Sequence, residues 1–357
     1  MTLEKTPAPC PYKTLPETSY WRRSVSNVAP ADIDPVVAPK FTIKPDEKVA
    51  TAGSCFAQHI ARYMKQSGFN YFVTEPGHSI LSDDISKEYN YSTYSARYAN
   101  IYTTRQLLQL FQRAYGLRTP IDDVWQEGGN FIDPFRPFIQ PDGFASKAEF
   151  LADREQHFAA VRRIVEESDV FVFTLGLTEA WENATDKTVY AISPGCGAGK
   201  HNPDQHHFIN FNASEVTKDL EDAIEFITER NPSIRILLTV SPVPLIATFE
   251  NQHVLTATTY SKSVLRVAAQ SATDRFANVD YFPSYEIITS GFSRGAYYAE
   301  DLRDVEEVGV AHAMRCFFHN YLEGAETVSK PASTNQQQSF SQKLNDIVCD
   351  EERLEDI

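Results

Sequence analysis

Apolar residues in this chain recur with two spacings. Three runs are almost unbroken: Val49-Ala50-Thr51-Ala52, Val170-Phe171-Val172-Phe173-Thr174-Leu175, and Ile234-Arg235-Ile236-Leu237-Leu238-Thr239-Val240. Runs of this kind read as strands buried on both faces, which is the habit of a parallel sheet. Asn70 to Thr74 and Val279 to Phe282 read as two shorter strands. Between them the spacing is helical, over residues 59–64, 105–115, 146–168, 214–230, 260–276 and 305–321. A Ser-x-x-Glu capping box at Ser146 and Glu149 starts one helix, and Asn231-Pro232 stops another. Strands alternating with helices predict an α/β fold: a three-layer, doubly wound parallel sheet with long insertions at the C-terminal ends of its strands.

Residues 1–45 are rich in proline and polar side chains and read as an N-terminal arm lying across the domain, with Trp21-Arg22-Arg23 as an anchor. Residues 46–322 form the domain, and residues 323–357 are a polar, acidic tail with the composition of disorder. Residues 78–104 and 125–144 are aromatic-rich insertions expected to wall or cover a site. Residues 183–212 hold Gly195-Cys196-Gly197-Ala198-Gly199 and three histidines, and read as a flexible loop. No G-K-[ST] follows those glycines, so they are not a phosphate loop.

Charge and composition narrow the partners. The formal charge is −15, from 48 acidic against 33 basic residues. No basic cluster interleaves with aromatics, so nucleic acid is not an expected partner. No run approaches the roughly 18 apolar residues of a membrane span, and the N-terminus has no apolar signal core, so no membrane partner and a cytoplasmic location are expected. Five dispersed cysteines without a C-x-x-C pair predict reduced thiols rather than disulfides or structural zinc. No cofactor and no metal are expected.

The densest chemical signal is Gly53-Ser54-Cys55-Phe56-Ala57, where a strand breaks into a helix. Glycine at such a turn reaches backbone conformations closed to other residues. A hydroxyl or thiol just beyond it sits at a helix N-terminus, where free N–H groups steady a thiolate or an acyl-transfer oxyanion. In an open parallel sheet ligands bind outside the C-terminal ends of the strands. That edge is predicted to collect Ser54 and Cys55, Thr178 and Glu179, Ser241, and the segment after Tyr285.

Four ordered stretches, Gly53-Ser54-Cys55-Phe56-Ala57, Thr174-Leu175-Gly176-Leu177-Thr178-Glu179-Ala180-Trp181, Ser241-Pro242-Val243-Pro244 and Tyr281-Phe282-Pro283-Ser284-Tyr285-Glu286, resemble the GSCFA-domain family over about residues 46–320. That family in turn resembles the SGNH (GDSL-like) hydrolases and acyltransferases, with an SGNH/flavodoxin-like sheet. The resemblance implies an acyl-ester hydrolase or acyltransferase working through an acyl intermediate on Cys55 or Ser54, and the aromatic-rich insertions suit a carbohydrate-type or other small acylated substrate. The G-D-S block falls on Gly53-Ser54-Cys55, which puts Cys55 at the nucleophile position. The G-x-N-D block falls on Gly176-Leu177-Thr178-Glu179, so Thr178 replaces an oxyanion-binding asparagine, and Asn100 corresponds to an earlier oxyanion donor. The Asp-x-x-His block falls on Asp301-Leu302-Arg303-Asp304, which places Asp304 where the histidine belongs. Asp301 is then the candidate to orient a base, and Arg303 to bind an anionic group. A Cys nucleophile depends less on an adjacent base than a Ser does.

With Asp304 in that position, the expected base is His207, from the insertion, followed by His253; His59 is expected to point elsewhere. Two rivals stand beside this reading. One is a non-catalytic ligand-binding module on the same fold, favoured by the missing histidine. The other is a metal-dependent hydrolase using His201, His206 and His207, whose spacing fits no standard zinc motif.

Overall fold

The computed structural model describes residues 10–324. In chain order its strands and α-helices are β1 (Val49–Gly53), α1 (Ala57–Gln66), α2 (Asp83–Glu88), α3 (Thr104–Ala114), β2 (Trp125–Glu127), β3 (Asn130–Ile132), α4 (Lys147–Glu167), β4 (Val170–Leu175), β5 (Glu179–Asn183), β6 (His206–Asn210), α5 (Ala213–Arg230), β7 (Arg235–Val240), α6 (Val254–Arg275), β8 (Val279–Tyr281), α7 (Ser284–Thr289) and α8 (Glu307–Tyr321).

The central sheet has the order β1-β4-β7-β8, and every pairing in it is parallel. Successive side chains of a strand face opposite sides, so each long strand feeds two cores. Ala50, Ala52, Phe171, Phe173, Ile236 and Leu238 pack under α3, α4, α5 and α6. Val49, Val170, Val172 and Leu237 pack under α1, α7 and α8. The unbroken apolar runs therefore belong to a sheet covered on both faces, as their composition predicts. The result is a three-layer α/β arrangement.

Several boundaries differ from the sequence reading. Asn70 to Thr74 is not a strand: it meets the sheet only at a parallel bridge between Val49 and Tyr71. Beyond that bridge Ser95 takes the partners a strand would have used, its Oγ accepting from Thr51 N (2.9 Å) and its carbonyl from Thr74 N (2.7 Å). The insertion over residues 183–212 is not wholly a loop, because β6 pairs antiparallel with β5, Trp181 opposite Phe208. Its two strands are joined by residues 184–205, too long a connection to carry a hairpin turn signal. Helix α6 starts at Val254, earlier than its apolar spacing suggests, because His253 caps it by accepting from Leu255 N (3.2 Å). Helix α8 starts at Glu307, two residues later than its apolar spacing suggests.

The arm does lie across the domain, but not through its tryptophan. Trp21 is 71% exposed, whereas Ile33 and Ile43 are buried. The Ile33 carbonyl faces His312 Nε2 (2.7 Å), and Ile43 pairs beside the end of α8 at Leu322. The acidic tail from residue 325 onward lies outside the described residues.

Candidate active site

The turn after β1 is fixed by backbone crowding. Gly53 has φ +132°, and a Cβ there would lie 2.3 Å from the Thr174 carbonyl oxygen. Its own carbonyl accepts from Ile101 N (2.8 Å), and Ser54 N donates to Thr174 O (3.1 Å). The chain then enters α1, with Ala57 N bonding Ser54 O (2.9 Å) and Gln58 N bonding Cys55 O (3.1 Å). Ser54 and Cys55 thus sit between the C-terminal end of β1 and the N-terminus of α1, as the sequence predicts. Both are buried, at 3% and 6% exposure. Ser54 Oγ has no hydrogen-bond partner, so no imidazole reaches it.

Two of the other predicted residues are drawn to this turn. Asn100 is buried and accepts from Gln58 Nε2 (3.3 Å), one helical step past Cys55. Gly176 is held against the segment that leads into α3: its N–H donates to Tyr102 O (3.0 Å), and a Cβ would meet that same oxygen at 3.0 Å. The Gly176 carbonyl accepts from Lys262 Nζ (2.6 Å). Thr178 is fully buried, and both its donors are engaged, N–H with Ser261 Oγ (3.1 Å) and hydroxyl with Asn210 Oδ1 (2.7 Å). As it stands, Thr178 braces β4 against α6 and β6 rather than presenting a hydrogen to an oxyanion. Ser241, at the end of β7, is buried and accepts from Val243 N (3.3 Å), shaping the Ser241-Pro242 turn.

The remaining predicted residues stand apart. Asp301 is exposed, and its Oδ1 accepts from the N–H groups of Arg303 (3.0 Å) and Asp304 (3.1 Å). The Asp-x-x-Asp stretch is thus a tight turn between the bridged residues Tyr298 and Val305. Asp301 makes no ion pair with a histidine among the described residues. Arg303 is largely buried, with Nη1 3.7 Å from Asp304. His207 is exposed on β6, on the opposite face from its neighbours His206 and Phe208, because strand side chains alternate. His253 is occupied as the α6 cap.

One imidazole does share the helix of the turn. His59 packs on Phe56, ring centroids 5.3 Å apart, and its Nδ1 lies 3.3 Å from Arg62 Nη2. Arg62 in turn bonds Glu307 (2.7 Å). Burial, reinforced by the Arg62 charge, pushes the His59 pKa down to about 3, so the ring stays neutral at neutral pH. The sign follows directly: below pH 6.5 the unfolded chain binds a proton at this position that the folded chain refuses, so stability falls with pH down to about 3. Denaturant unfolding at pH 7 and pH 5 should show wild type losing about 1–2 kcal/mol more than His59→Gln over that interval.

Beside the turn opens a cleft of about 470 Å³, lined by Tyr102, Leu177, Glu179, Trp181, Tyr190, His201, Phe208 and Phe249 among others. Trp181 stands edge-on to His201, Phe208 and Phe249, at centroid distances of 5.1, 5.9 and 4.9 Å. Glu179 closes one side, accepting from Thr248 Oγ1 (2.6 Å) and Phe249 N (3.1 Å). Burial holds its carboxyl above the ordinary range, against the lowering effect of those two bonds. Tyr102 joins cleft and turn, since it follows Ile101 and its carbonyl holds Gly176 and Leu177.

Residues 48–317 match the family model described as the GSCFA family. The chain belongs to the GSCFA family. No curated protein and no solved structure matches it. All four stretches that carried the resemblance lie within the GSCFA segment, three of them at the ends of β1, β4 and β7 and the fourth running from β8 into α7. The aromatic wall of this GSCFA protein was not read from sequence. Phe249 and His201 lie in segments without periodicity, and only the exposed, large Phe249 gives a local hint of a surface built for contact.

Proposed function

We propose that this GSCFA protein is an SGNH-like acyl-transfer enzyme. It hydrolyses a small acyl ester, or passes its acyl group to an acceptor, through a covalent intermediate. The observation that carries the reading is the Gly53 turn, which delivers Cys55 and Ser54 to the C-terminal edge of a parallel sheet, at a helix N-terminus and next to an open cleft. In this reading the Cys55 thiolate, its proton given up to solvent, attacks the ester carbonyl carbon, and the carbonyl oxygen takes up the electron pair. Its return breaks the ester C–O bond, so that the alkoxide leaves and takes a proton from water. Water or an acceptor alcohol then adds to the thioester, loses its proton to solvent, and displaces the Cys55 thiolate. In this reading the positive end of the α1 dipole and the Asn100 amide steady the developing oxyanion. Cys55 is preferred to Ser54 because sulfur is the stronger nucleophile where no base adjoins it, and the Ser54 hydroxyl has no base bonded to it. The sheet order, with the Tyr71 bridge on the outer side of β1, is compatible with an SGNH-like topology.

The cleft supports a carbohydrate-type or similar small alcohol part, stacked on Trp181. Trp181→Ala should raise KM about tenfold or more and leave kcat within a few-fold, as expected for a contact made equally in ground and transition states. Mixing the enzyme with an aryl acetate tests the reaction itself. The account expects a burst of released phenol matching the enzyme concentration, followed by slower turnover.

A second reading, a binding module without catalysis, is favoured by one observation: neither Ser54 nor Cys55 lines the 470 Å³ cleft, and both are nearly closed to solvent. Saturable binding of a sugar ester without any burst would establish it.

A further inference from the structure

On a chain of net charge −15, one surface pocket is basic. It measures about 490 Å³ and is lined by Arg113 of α3, Arg118 just beyond that helix, and Arg154 and Arg162 of α4. Two of these charges are matched: Arg154 pairs with Asp123 (2.9 Å) and Arg162 with Glu155 (3.1 Å). The other two have no carboxylate partner among the described residues. Arg118 donates to the Asp186 carbonyl and to Thr188 Oγ1. Arg113 is 7% exposed, and its guanidinium is held by ring faces, with its carbon 3.6 Å from the Phe135 centroid and 5.3 Å from that of Phe158. Among the described residues, no hydrogen bond from its nitrogens accompanies those contacts. Asp133, the carboxylate that acts most strongly on Arg113, is committed to Arg136 (3.1 Å).

We infer that this pocket binds a phosphate group carried on a small organic molecule. A buried guanidinium without a bonded anion is costly, and the fork of an arginine matches phosphate oxygens two at a time. The four arginines on the lining, set against the paired carboxylates Asp123 and Glu155, leave two positive charges, the match of a phosphate dianion. Tyr115 and Phe158 also line the pocket and offer apolar surface to the organic part, and the volume falls in the range of small-molecule sites. The depressed pKa of Arg113, lowered to about 9 by burial against the pull of Asp133, agrees with a cation lacking its counter-ion. This site is separate from the Cys55 turn, and its test does not depend on catalysis.

Calorimetric titration of the full chain at constant ionic strength provides that test, with phenyl phosphate, inorganic phosphate and uncharged benzyl alcohol as probes. Saturable binding at one site is expected for phenyl phosphate and none for benzyl alcohol. Arg113→Met, which keeps the packing on Phe135, and Arg118→Gln should each weaken binding at least about tenfold, with circular dichroism reporting an intact fold. Tighter binding of phenyl phosphate than of inorganic phosphate supports an organic phosphate as the ligand. Equal affinities would show a site for the free ion and overturn the organic part of the inference. Absence of saturable phosphate binding to wild type, or unchanged affinity in Arg118→Gln, would overturn it altogether.

Discussion

Cys55→Ala is expected to lower kcat/KM for an activated acyl ester by about 10³-fold or more, because removing the nucleophile of a covalent mechanism leaves only the oxyanion site and binding. The substitution deletes one buried sulfur, so the folding cost should stay near 1–2 kcal/mol and circular dichroism should be unchanged. Ser54→Ala is the paired control. Its hydroxyl is buried without a hydrogen-bond partner, so its loss should be nearly neutral or slightly stabilising, with activity kept within about tenfold. Steady-state kinetics of both variants decide the assignment. Loss of activity in Ser54→Ala alone would move the nucleophile by one residue, and full activity in both would remove the acyl-enzyme.

Gly53→Ala is expected to be the most damaging single substitution for folding. An alanine at φ +132° is strained by its own backbone. Its Cβ would also lie within 2.3–2.8 Å of the Thr174 carbonyl oxygen, amide nitrogen and Cβ. Thr174 cannot retreat, since it lies in β4 between Gly53 on one side and Thr239 of β7 on the other. A cost of about 3 kcal/mol or more follows from the two effects together, read as a lowered denaturant midpoint. Because the same crowding moves the turn, acyl transfer should fall even under conditions where the variant is folded.

What could be read in advance follows from how far each signal reaches along the chain. The buried strands and their helices were legible because apolar runs and 3.6-residue spacing are local and long. The Gly53 turn was legible for the same reason: strand, glycine and helix are contiguous. The failures are non-local. Asn70 to Thr74 has strand composition, yet Ser95 occupies the hydrogen-bonding groups that would have extended it. β5 and β6 pair across a long connection, residues 184–205, so Trp181 and Phe208 gave no sign that they shared a wall. His207 was placed near the active edge from its loop, but once that loop is a strand, alternation turns its ring to the side opposite Phe208. Asp301 was assigned from the resemblance, whereas in the fold its carboxylate satisfies the backbone of its own turn. Arg113 falls within the helical spacing of residues 105–115 with nothing local to set it apart, and only the packing of Phe135 and Phe158 around it does so.

Intact-protein mass spectrometry after brief exposure to an aryl acetate, quenched in acid and followed by peptide mapping, addresses the central claim most directly. The account predicts one acetyl group per chain, located on the peptide containing Cys55 and absent from Cys55→Ala. An unmodified chain, or an acetyl group found only on surface lysines and on the Cys55→Ala variant alike, would contradict it.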